Sequence, residues 1–301
     1  MSAPKKQLAP NLQVGDDAEP VKMPDNGEQA GPEALDGRCD ATPADLDTGL
    51  KFFGNRICPF AHRTWWSALE VNAPIEYIHV DMGSKHAEGP NGKPWWYVND
   101  VNPLATVPSL YDEGDAQWAI SGTFEIDPPT DHILRSYAGL VPPSKEELHA
   151  SQMHVGWMGG RKIVPQMYSL LQEQDPAVAL TKATKLTQVL RECNARMEEQ
   201  GSDGPFFLGS ELSYADIAIV PFFDRFEATL GYYRGYELLS RDDPSLARMR
   251  ALLDASRERE AFKQTSQEAE FYIKSYSGYG QGGRAEKMVV PEPQEAEAAR
   301  L

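Results

Sequence analysis

Long apolar runs are missing from this sequence, and so is an excess of positive charge. No stretch approaches the ~20 consecutive apolar residues of a membrane-spanning helix, which excludes an integral helical membrane protein. Lys and Arg number 29 against 45 Asp and Glu, which gives a formal net charge of −16. Because surfaces that bind a phosphate backbone need clustered positive charge, this balance argues against a nucleic-acid-binding protein.

Cysteine is also scarce. The three cysteines, Cys39, Cys58 and Cys193, lie far apart in the sequence, and their odd number does not fit a disulfide framework, so we expect a reducing compartment. The histidines show no metal-ligand spacing with them, so no metal site is predicted. The first residues lack an apolar core and soon become acidic, which fits neither a secretory signal nor a transit peptide. We therefore predict a cytoplasmic protein.

Two central regions show the apolar periodicity of strands and helices, whereas the two ends of the chain show little of it. Residues 1–47 and 277–301 are rich in Pro, Gly and small or charged residues, a composition that predicts flexible tails. The periodic part divides at the Pro-Pro pair of "GLVPPS", which gives a first domain over 48–140 and a second over 144–276. A chain of 301 residues has room for two domains of this size.

The first domain alternates predicted strands and helices. Aromatic and β-branched runs at 50–54 and 75–81 predict strands, and Pro59 to Val71 between them has helical length, which makes a βαβ unit. A second helix is predicted over 93–101. The short runs at 107–111 and 116–120 predict a hairpin, and "DPPTDHILRSY" predicts a third helix with Asp127 as its N-cap.

In the second domain strand signals nearly vanish. Ser144 and Glu147 have capping-box spacing, and helical apolar periodicity runs through 176–200, 213–233 and 245–265. Ser213 and Asp216 predict a second capping box, and Pro221 predicts a kink in the helix that follows it. The predicted fold class is an α/β domain followed by an all-α domain.

Cys58, in "RICPFAHRT", lies where the first strand ends and the first helix begins. Pro59 favours the first helical position, so unpaired backbone N–H groups would surround the sulfur, lower the pKa of the thiol and favour a nucleophilic thiolate. Ala61 stands where a Cys-x-x-Cys motif would have its second cysteine, so an external thiol would complete any exchange. The alternative is a buried, inert cysteine that fills a strand-to-helix corner. His62 and Arg63 are predicted to face solvent.

The Val-Pro pair in "NPLATVPSL" stands at the entrance to a predicted strand. A cis Val107–Pro108 bond would present the Val107 backbone outward, where it could pair with a peptide ligand as an added strand does. For an isolated X–Pro pair, an ordinary trans bond on an edge strand is the more frequent conformation.

Taken in order, "CPFA", "KPWW", "NPLATVP" and "GPFFLGSELSYADIAIVPFFDRF" resemble the cysteine-type glutathione transferases, above all the lambda, omega and dehydroascorbate-reductase groups. The resemblance covers residues 48–276 and implies a thioredoxin-like first domain that binds glutathione and an all-helical second domain. It implies that Cys58 forms a mixed disulfide with glutathione beside Phe60. It also implies that Val107, before a cis Pro108, pairs with the cysteinyl group, and that Lys93 binds the glycine carboxylate.

One motif departs from that pattern. The family carries Glu-Ser at the start of the third helix, where the Ser holds the γ-glutamyl carboxylate, whereas this chain offers Glu125 and Ile126, or Ser121 in a shorter hairpin. Ile126 would supply a backbone N–H but no hydroxyl, and the charge of Asp127 could repel the carboxylate.

The function implied is that of a glutathione-dependent thiol transferase or reductase. Glutathione is the co-substrate, and the partner substrate is a small apolar or glutathionylated molecule, or an oxidised one such as dehydroascorbate. The resemblance favours a monomer over a dimer. The alternative from another class is a non-catalytic ligand-binding or interaction protein of the same fold, which the missing Glu-Ser hydroxyl and the acidic tails favour.

Overall fold

The computed structural model describes residues 48–82, 88–113, 115–117, 126–158, 162–200 and 203–291. Its sheet has four strands, β1 (Leu50–Gly54), β2 (Ile75–His79), β3 (Ser109–Asp112) and β4 (Asp115–Gln117), and their order across the sheet is β2-β1-β3-β4. β1 pairs in parallel with β2, β3 runs antiparallel to β1, and β4 returns antiparallel along β3. The βαβ unit and the hairpin predicted from the sequence are confirmed.

Three helices accompany this sheet: α1 (Pro59–Glu70), α2 (Trp95–Asp100) and α3 (Pro128–Ser136). α1 connects the two parallel strands, and Pro59 stands at its first position. Asp127 caps α3, since its side chain accepts a hydrogen bond from the Thr130 backbone N–H, as the sequence predicts.

The second domain is helical, and an isolated β-bridge joins Phe206 and Gly209. The side chains of Ser144 and Asp175 cap the helices that begin at Lys145 and Pro176. Among the residues that the structure describes, no helix is both long and apolar enough to cross a membrane. The helices are α4 (Lys145–Trp157), α5 (Val164–Gln172), α6 (Pro176–Glu199), α7 (Tyr214–Ile217), α8 (Val220–Arg234), α9 (Ala247–Arg257), α10 (Glu260–Thr265), α11 (Ala269–Ser275) and α12 (Ser277–Gly280).

The apolar run over 213–233 forms two helices rather than one kinked helix. α7 ends at Ile217, and α8 begins at Val220 with Pro221 in its first turn, where a missing N–H costs nothing. The capping box of Ser213 and Asp216 is confirmed at the start of α7. This break sets the direction of α8, which carries several side chains toward the first domain.

A hydrophobic core continues from the helical domain into the first domain. Trp66 of α1 is completely buried, and its ring packs edge-on against Phe262 of α10 at 4.8 Å between centroids. Ile126 belongs to the same core. Burying aromatic rings of this size is among the larger favourable contributions to folding, so this contact holds α1 firmly against the helical domain.

The segment 277–291 packs against the protein, so the predicted flexible tail is wrong for these residues. Backbone N–H groups of Ala285 and Met288 donate to the carbonyls of Tyr232 and Gly235. Gly235 has φ +63°, and a Cβ at this position would lie 1.7 Å from the Glu286 carbonyl oxygen. Only glycine allows both this left-handed backbone and the close approach of the segment.

Candidate active site

Cys58 is the N-cap residue of α1, directly after a short turn that follows β1. Its backbone N–H donates to the Asn55 carbonyl at 3.0 Å. The Asn55 side chain donates to the Val80 carbonyl at 2.7 Å and accepts from the Ile57 N–H at 2.9 Å. The turn is thereby tied to the end of the second strand, which fixes the backbone on which the sulfur stands.

The sulfur of Cys58 faces the backbone of Val107. The residue is 8% exposed, and Sγ donates to the Val107 carbonyl oxygen at 3.6 Å. The Val107–Pro108 peptide bond is cis, as the resemblance implies. The structure therefore brings together two of the site residues named from the sequence, although they are 49 positions apart.

Burial raises the pKa of the Cys58 thiol, and this contribution exceeds the others. The backbone N–H groups of Ala61 and Phe60 and the charge of Arg225 lower the pKa, while the Asp127 carboxylate raises it further. The helix-start N–H groups thus act in the direction that the sequence predicts. The predicted net lowering of the pKa is nevertheless wrong, because the sulfur is more deeply buried than the sequence pattern indicates.

A raised pKa sets the pH dependence of alkylation at Cys58. Because the thiolate is the reacting form, the rate should rise about tenfold per pH unit from pH 7 toward the pKa and level off above it. Iodoacetamide kinetics with peptide mapping measure this rate at Cys58 alone. A rate that is already constant between pH 7 and 9 would contradict the raised pKa.

Phe60 lies two residues after Cys58, in the first turn of α1. It is 40% exposed, and its ring packs edge-on against Phe222 of α8 at 5.1 Å between centroids. The Arg63 guanidinium lies over both rings, at 5.1 Å and 4.8 Å from their centroids. The exposed Phe60 ring, supported from behind by the buried Phe222 of the helical domain, therefore borders the position that the resemblance assigns to the glutathione pocket.

Lys93 is almost fully buried, and its ammonium donates to the Asn91 carbonyl at 2.9 Å. Burial lowers the pKa of Lys93, while the charge of Cys58 acts in the opposite direction. In this conformation the ammonium is engaged within its own turn, so binding a carboxylate would require it to exchange that carbonyl for the ligand.

Glu125 and Ile126 stand where the family has its Glu-Ser pair. Glu125, and Ser121 as the alternative, lie outside the described residues. Ile126 is 7% exposed, and its side chain belongs to the hydrophobic core. The side chain of Asp127 accepts from Thr64 and Thr130, and one of its oxygens lies 3.6 Å from Arg63. Its charge is partly balanced by this arginine.

His62 and Arg63 are buried, at 2% and 5% exposure, so the prediction that they face solvent is wrong. His62 contacts Thr265 of α10 at 2.8 Å, and Arg63 donates to the Ala218 carbonyl at the end of α7. The helical domain covers this face of α1. The local sequence "CPFAHRT" does not indicate that residues of the second domain pack against it.

Sequence reasoning also missed Arg225 and Tyr276. Both lie near enough to Cys58 for its charge to affect their pKa values, as does Tyr168, whose pKa burial raises to about 12. The Tyr276 hydroxyl lies 3.4 Å from the Ile57 carbonyl. Arg225 did leave a signal, because a charged residue within the apolar run "IVPFFDRF" is unusual unless it has a buried partner.

Within the part of the chain that the structure describes, no group of three or more His, Cys, Asp or Glu side chains could hold a metal ion. The Cys58 thiol lies at a helix start, faces the backbone of Val107 and is covered by a helical domain. Together with the four-stranded sheet, this arrangement is typical of a thioredoxin-like domain followed by a helical one. Comparisons with known proteins give the family.

Residues 57–126 match the family model described as "Glutathione S-transferase, N-terminal domain", and residues 162–265 match "Glutathione S-transferase, C-terminal domain". Together these matches cover more than half of the chain. The chain belongs to the glutathione S-transferase family, and its fold is a thioredoxin-like domain followed by an all-helical domain.

Curated relatives agree with this assignment. The chain is 27% identical to "Glutathione S-transferase L3" of Arabidopsis thaliana over 66% of this chain and 75% of the relative. It is 24% identical to "Probable glutathione S-transferase DHAR1, cytosolic" of Oryza sativa subsp. japonica, over 73% of this chain and 89% of the relative. Glutathione transferase Omega 3C from Trametes versicolor, at 22% identity and a TM-score of 0.62, shares the fold over 79% of this chain and 93% of that one.

Proposed function

We propose that this protein is a glutathione-dependent thiol transferase or reductase that uses Cys58 as its nucleophile. The observation that carries the proposal is the Cys58 sulfur at the start of α1, 3.6 Å from the Val107 carbonyl, in a chain of the glutathione S-transferase family. Cys193, the other cysteine within the described residues, is completely buried in the helical core. The thiol that completes each exchange therefore comes from glutathione.

Glutathione binding in this proposal uses backbone groups more than side chains. Its cysteinyl group pairs with the Val107 backbone, and its glycine carboxylate binds Lys93 once that ammonium leaves the Asn91 carbonyl. The backbone N–H of Ile126, near the start of α3, takes the γ-glutamyl carboxylate, with Glu125 beside it. Phe60 shapes the pocket next to the sulfur, supported by its contact with Phe222.

The exchange has two steps. The Cys58 thiolate attacks the glutathione sulfur of a glutathionylated substrate, a Cys58–glutathione disulfide forms, and the substrate leaves as a thiolate that takes a proton. A second glutathione thiolate then attacks the glutathione sulfur of this mixed disulfide. Oxidised glutathione is released, and Cys58 returns as a thiolate.

The raised pKa of the free thiol is compatible with this chemistry because binding changes its surroundings. In the free protein the thiol donates to the Val107 carbonyl. In the complex the cysteinyl N–H of glutathione donates to the Val107 carbonyl, so the thiol loses its hydrogen-bond acceptor. Arg225 and the N–H groups of Ala61 and Phe60 continue to favour the thiolate. The reactive form is then produced mainly in the complex.

The proposed substrates are small apolar or glutathionylated molecules and oxidised molecules of the dehydroascorbate type. The exposed ring of Phe60 supports an apolar partner. The acting unit in this proposal is the monomer, and the location is the cytoplasm.

A second candidate function is that of a ligand-binding protein without catalysis. Two observations favour it: the Ile126 side chain is buried where the family has a hydroxyl, and burial raises the pKa of Cys58. Such a protein would bind glutathione or an apolar ligand but would not exchange disulfides.

Glutathione-dependent reduction of hydroxyethyl disulfide separates the two functions. The thiol transferase should turn over many equivalents of disulfide with glutathione, glutathione reductase and NADPH present, whereas a ligand-binding protein should not exceed the rate without protein. Absence of turnover together with measurable glutathione binding in a calorimeter would leave the second function standing.

A further inference from the structure

Arg225 of α8 is completely buried and extends from the helical domain to the turn that precedes Cys58. Its Nε donates to the Ile57 carbonyl and its Nη2 to the Arg56 carbonyl, each at 2.8 Å. Its Nη1 lies 2.8 Å from the Pro221 carbonyl and 2.9 Å from Nδ1 of His62. The planar guanidinium thus holds two carbonyls of the turn at once, which a lysine ammonium cannot do with the same geometry.

These four contacts do not neutralise the charge of Arg225, since carbonyls and an imidazole are neutral. Burial also lowers the pKa of His62 well below its usual range, with Arg225 adding to the effect, so that imidazole stays uncharged. The carboxylate next in sequence, Asp224, is engaged by Arg257 at 2.8 Å and 3.0 Å. A buried cation in this position favours a nearby anion.

We propose that Arg225 is a positioning residue for Cys58: it holds the 55–57 turn in place and supplies the positive charge that stabilises the Cys58 thiolate. The proposal deepens the proposed function and rests on Cys58 being the nucleophile. It also makes the reactivity of a residue in the first domain depend on a side chain of the helical domain.

Electrostatics agree with this geometry. The charge of Arg225 lowers the pKa of Cys58, and the Cys58 thiolate in turn favours the charged form of Arg225. Although burial opposes it, the pKa of Arg225 lies above its ordinary value because of its anionic and phenolic neighbours. Those neighbours are Tyr272, whose ring lies 4.7 Å from the guanidinium, Tyr276, Asp224 and Cys58.

Other groups that interact electrostatically with Cys58 come from several elements. Asp127 opposes the thiolate and is itself near Arg63, while Lys93 carries a positive charge. Burial raises the pKa values of the phenols near the sulfur above their ordinary value, so they stay neutral from pH 6 to 9. These phenols are Tyr77, Tyr97, Tyr168 and Tyr276.

The test is the pH profile of Cys58 alkylation by iodoacetamide in the full chain, read at Cys58 by peptide mapping. Arg225→Met removes the charge at similar volume and should move the midpoint up by about one pH unit, which makes alkylation at pH 7.5 about tenfold slower. Arg225→Lys keeps the charge, and its midpoint should stay within about 0.3 unit of wild type. Rescue by lysine separates the charge from general packing.

Arg250→Met is the matched control. Arg250 is also buried in the helical domain and donates to a backbone carbonyl, that of Leu239, but it has no contact with Cys58. This variant should lower the melting temperature and leave the alkylation midpoint unchanged.

Two results would overturn the proposal: a folded Arg225→Met variant with the wild-type midpoint, or an Arg225→Lys variant whose midpoint rises by a full unit. If the methionine variant does not fold, Arg225→Gln takes its place, since it also removes the charge but keeps an amide that can donate to a turn carbonyl; a wild-type midpoint in this variant would likewise overturn the proposal. Alkylation needs no glutathione, so the proposed function can fail in a turnover assay while the effect of Arg225 on the thiol is still observed.

Discussion

Cys58→Ser should lose glutathione-dependent disulfide reduction by a factor of at least about 1,000. The serine hydroxyl has nearly the same size, but it is not ionised near neutral pH and cannot form a disulfide. The N–H groups of Phe60 and Ala61 cannot compensate for this change. The measurement is kcat/KM for hydroxyethyl disulfide, with circular dichroism to show that the variant is folded.

Cys193→Ala is the control for this prediction. That cysteine is completely buried on α6, and burial raises the pKa of its thiol to about 12, so it should take no part in exchange. The control should keep most of the activity, at some cost in stability. Equal activity of wild type and Cys58→Ser would show that another group carries out the reaction.

Asp216→Ala should lower the free energy of unfolding by about 3 kcal/mol, a large part of the stability of an ordinary domain. The Asp216 carboxylate is 1% exposed and accepts three hydrogen bonds: from the Phe207 N–H at 2.7 Å, the Ser213 N–H at 2.9 Å and the Ser213 hydroxyl at 3.0 Å. Alanine would leave two buried N–H groups without a partner. Urea unfolding at pH 7 measures the loss.

Asp175→Ala provides a matched comparison. Asp175 also caps a helix and accepts from the N–H groups of Ala177 and Val178, but it is exposed, so water can replace the carboxylate. Its loss should cost about 1 kcal/mol. An equal loss of unfolding free energy in both variants would show that the burial of Asp216 adds nothing to the stability that its cap contributes.

Much of the fold could be predicted because the strongest sequence signals are local. The two runs at 50–54 and 75–81 became parallel strands, and Pro59 and Asp127 mark the starts of helices where their chemistry favours them. The segment 277–291 could not be predicted, since its Gly-rich composition is typical of a tail. Its order depends on tertiary contacts, such as those of Met288 with Gly235, that leave no periodic pattern.

The site was predictable to the extent that it depends on motifs. The position of Cys58 at a helix start follows from Pro59, and its proximity to Val107 was implied by the family resemblance. The depth of the sulfur, the burial of His62 and Arg63, and the contact with Arg225 depend on how the second domain covers the first. That arrangement involves residues more than 150 positions apart, which a single sequence does not reveal.

Exposure to oxidised glutathione, followed by intact-mass and peptide-mapping mass spectrometry, shows whether Cys58 is the nucleophile that forms a disulfide with glutathione. We expect one glutathionyl group per chain, located on Cys58, absent from the Cys58→Ser variant and removed again by reduced glutathione. A wild-type protein that stays unmodified at Cys58, or that takes up glutathione on another cysteine to the same extent with and without Cys58, would contradict it.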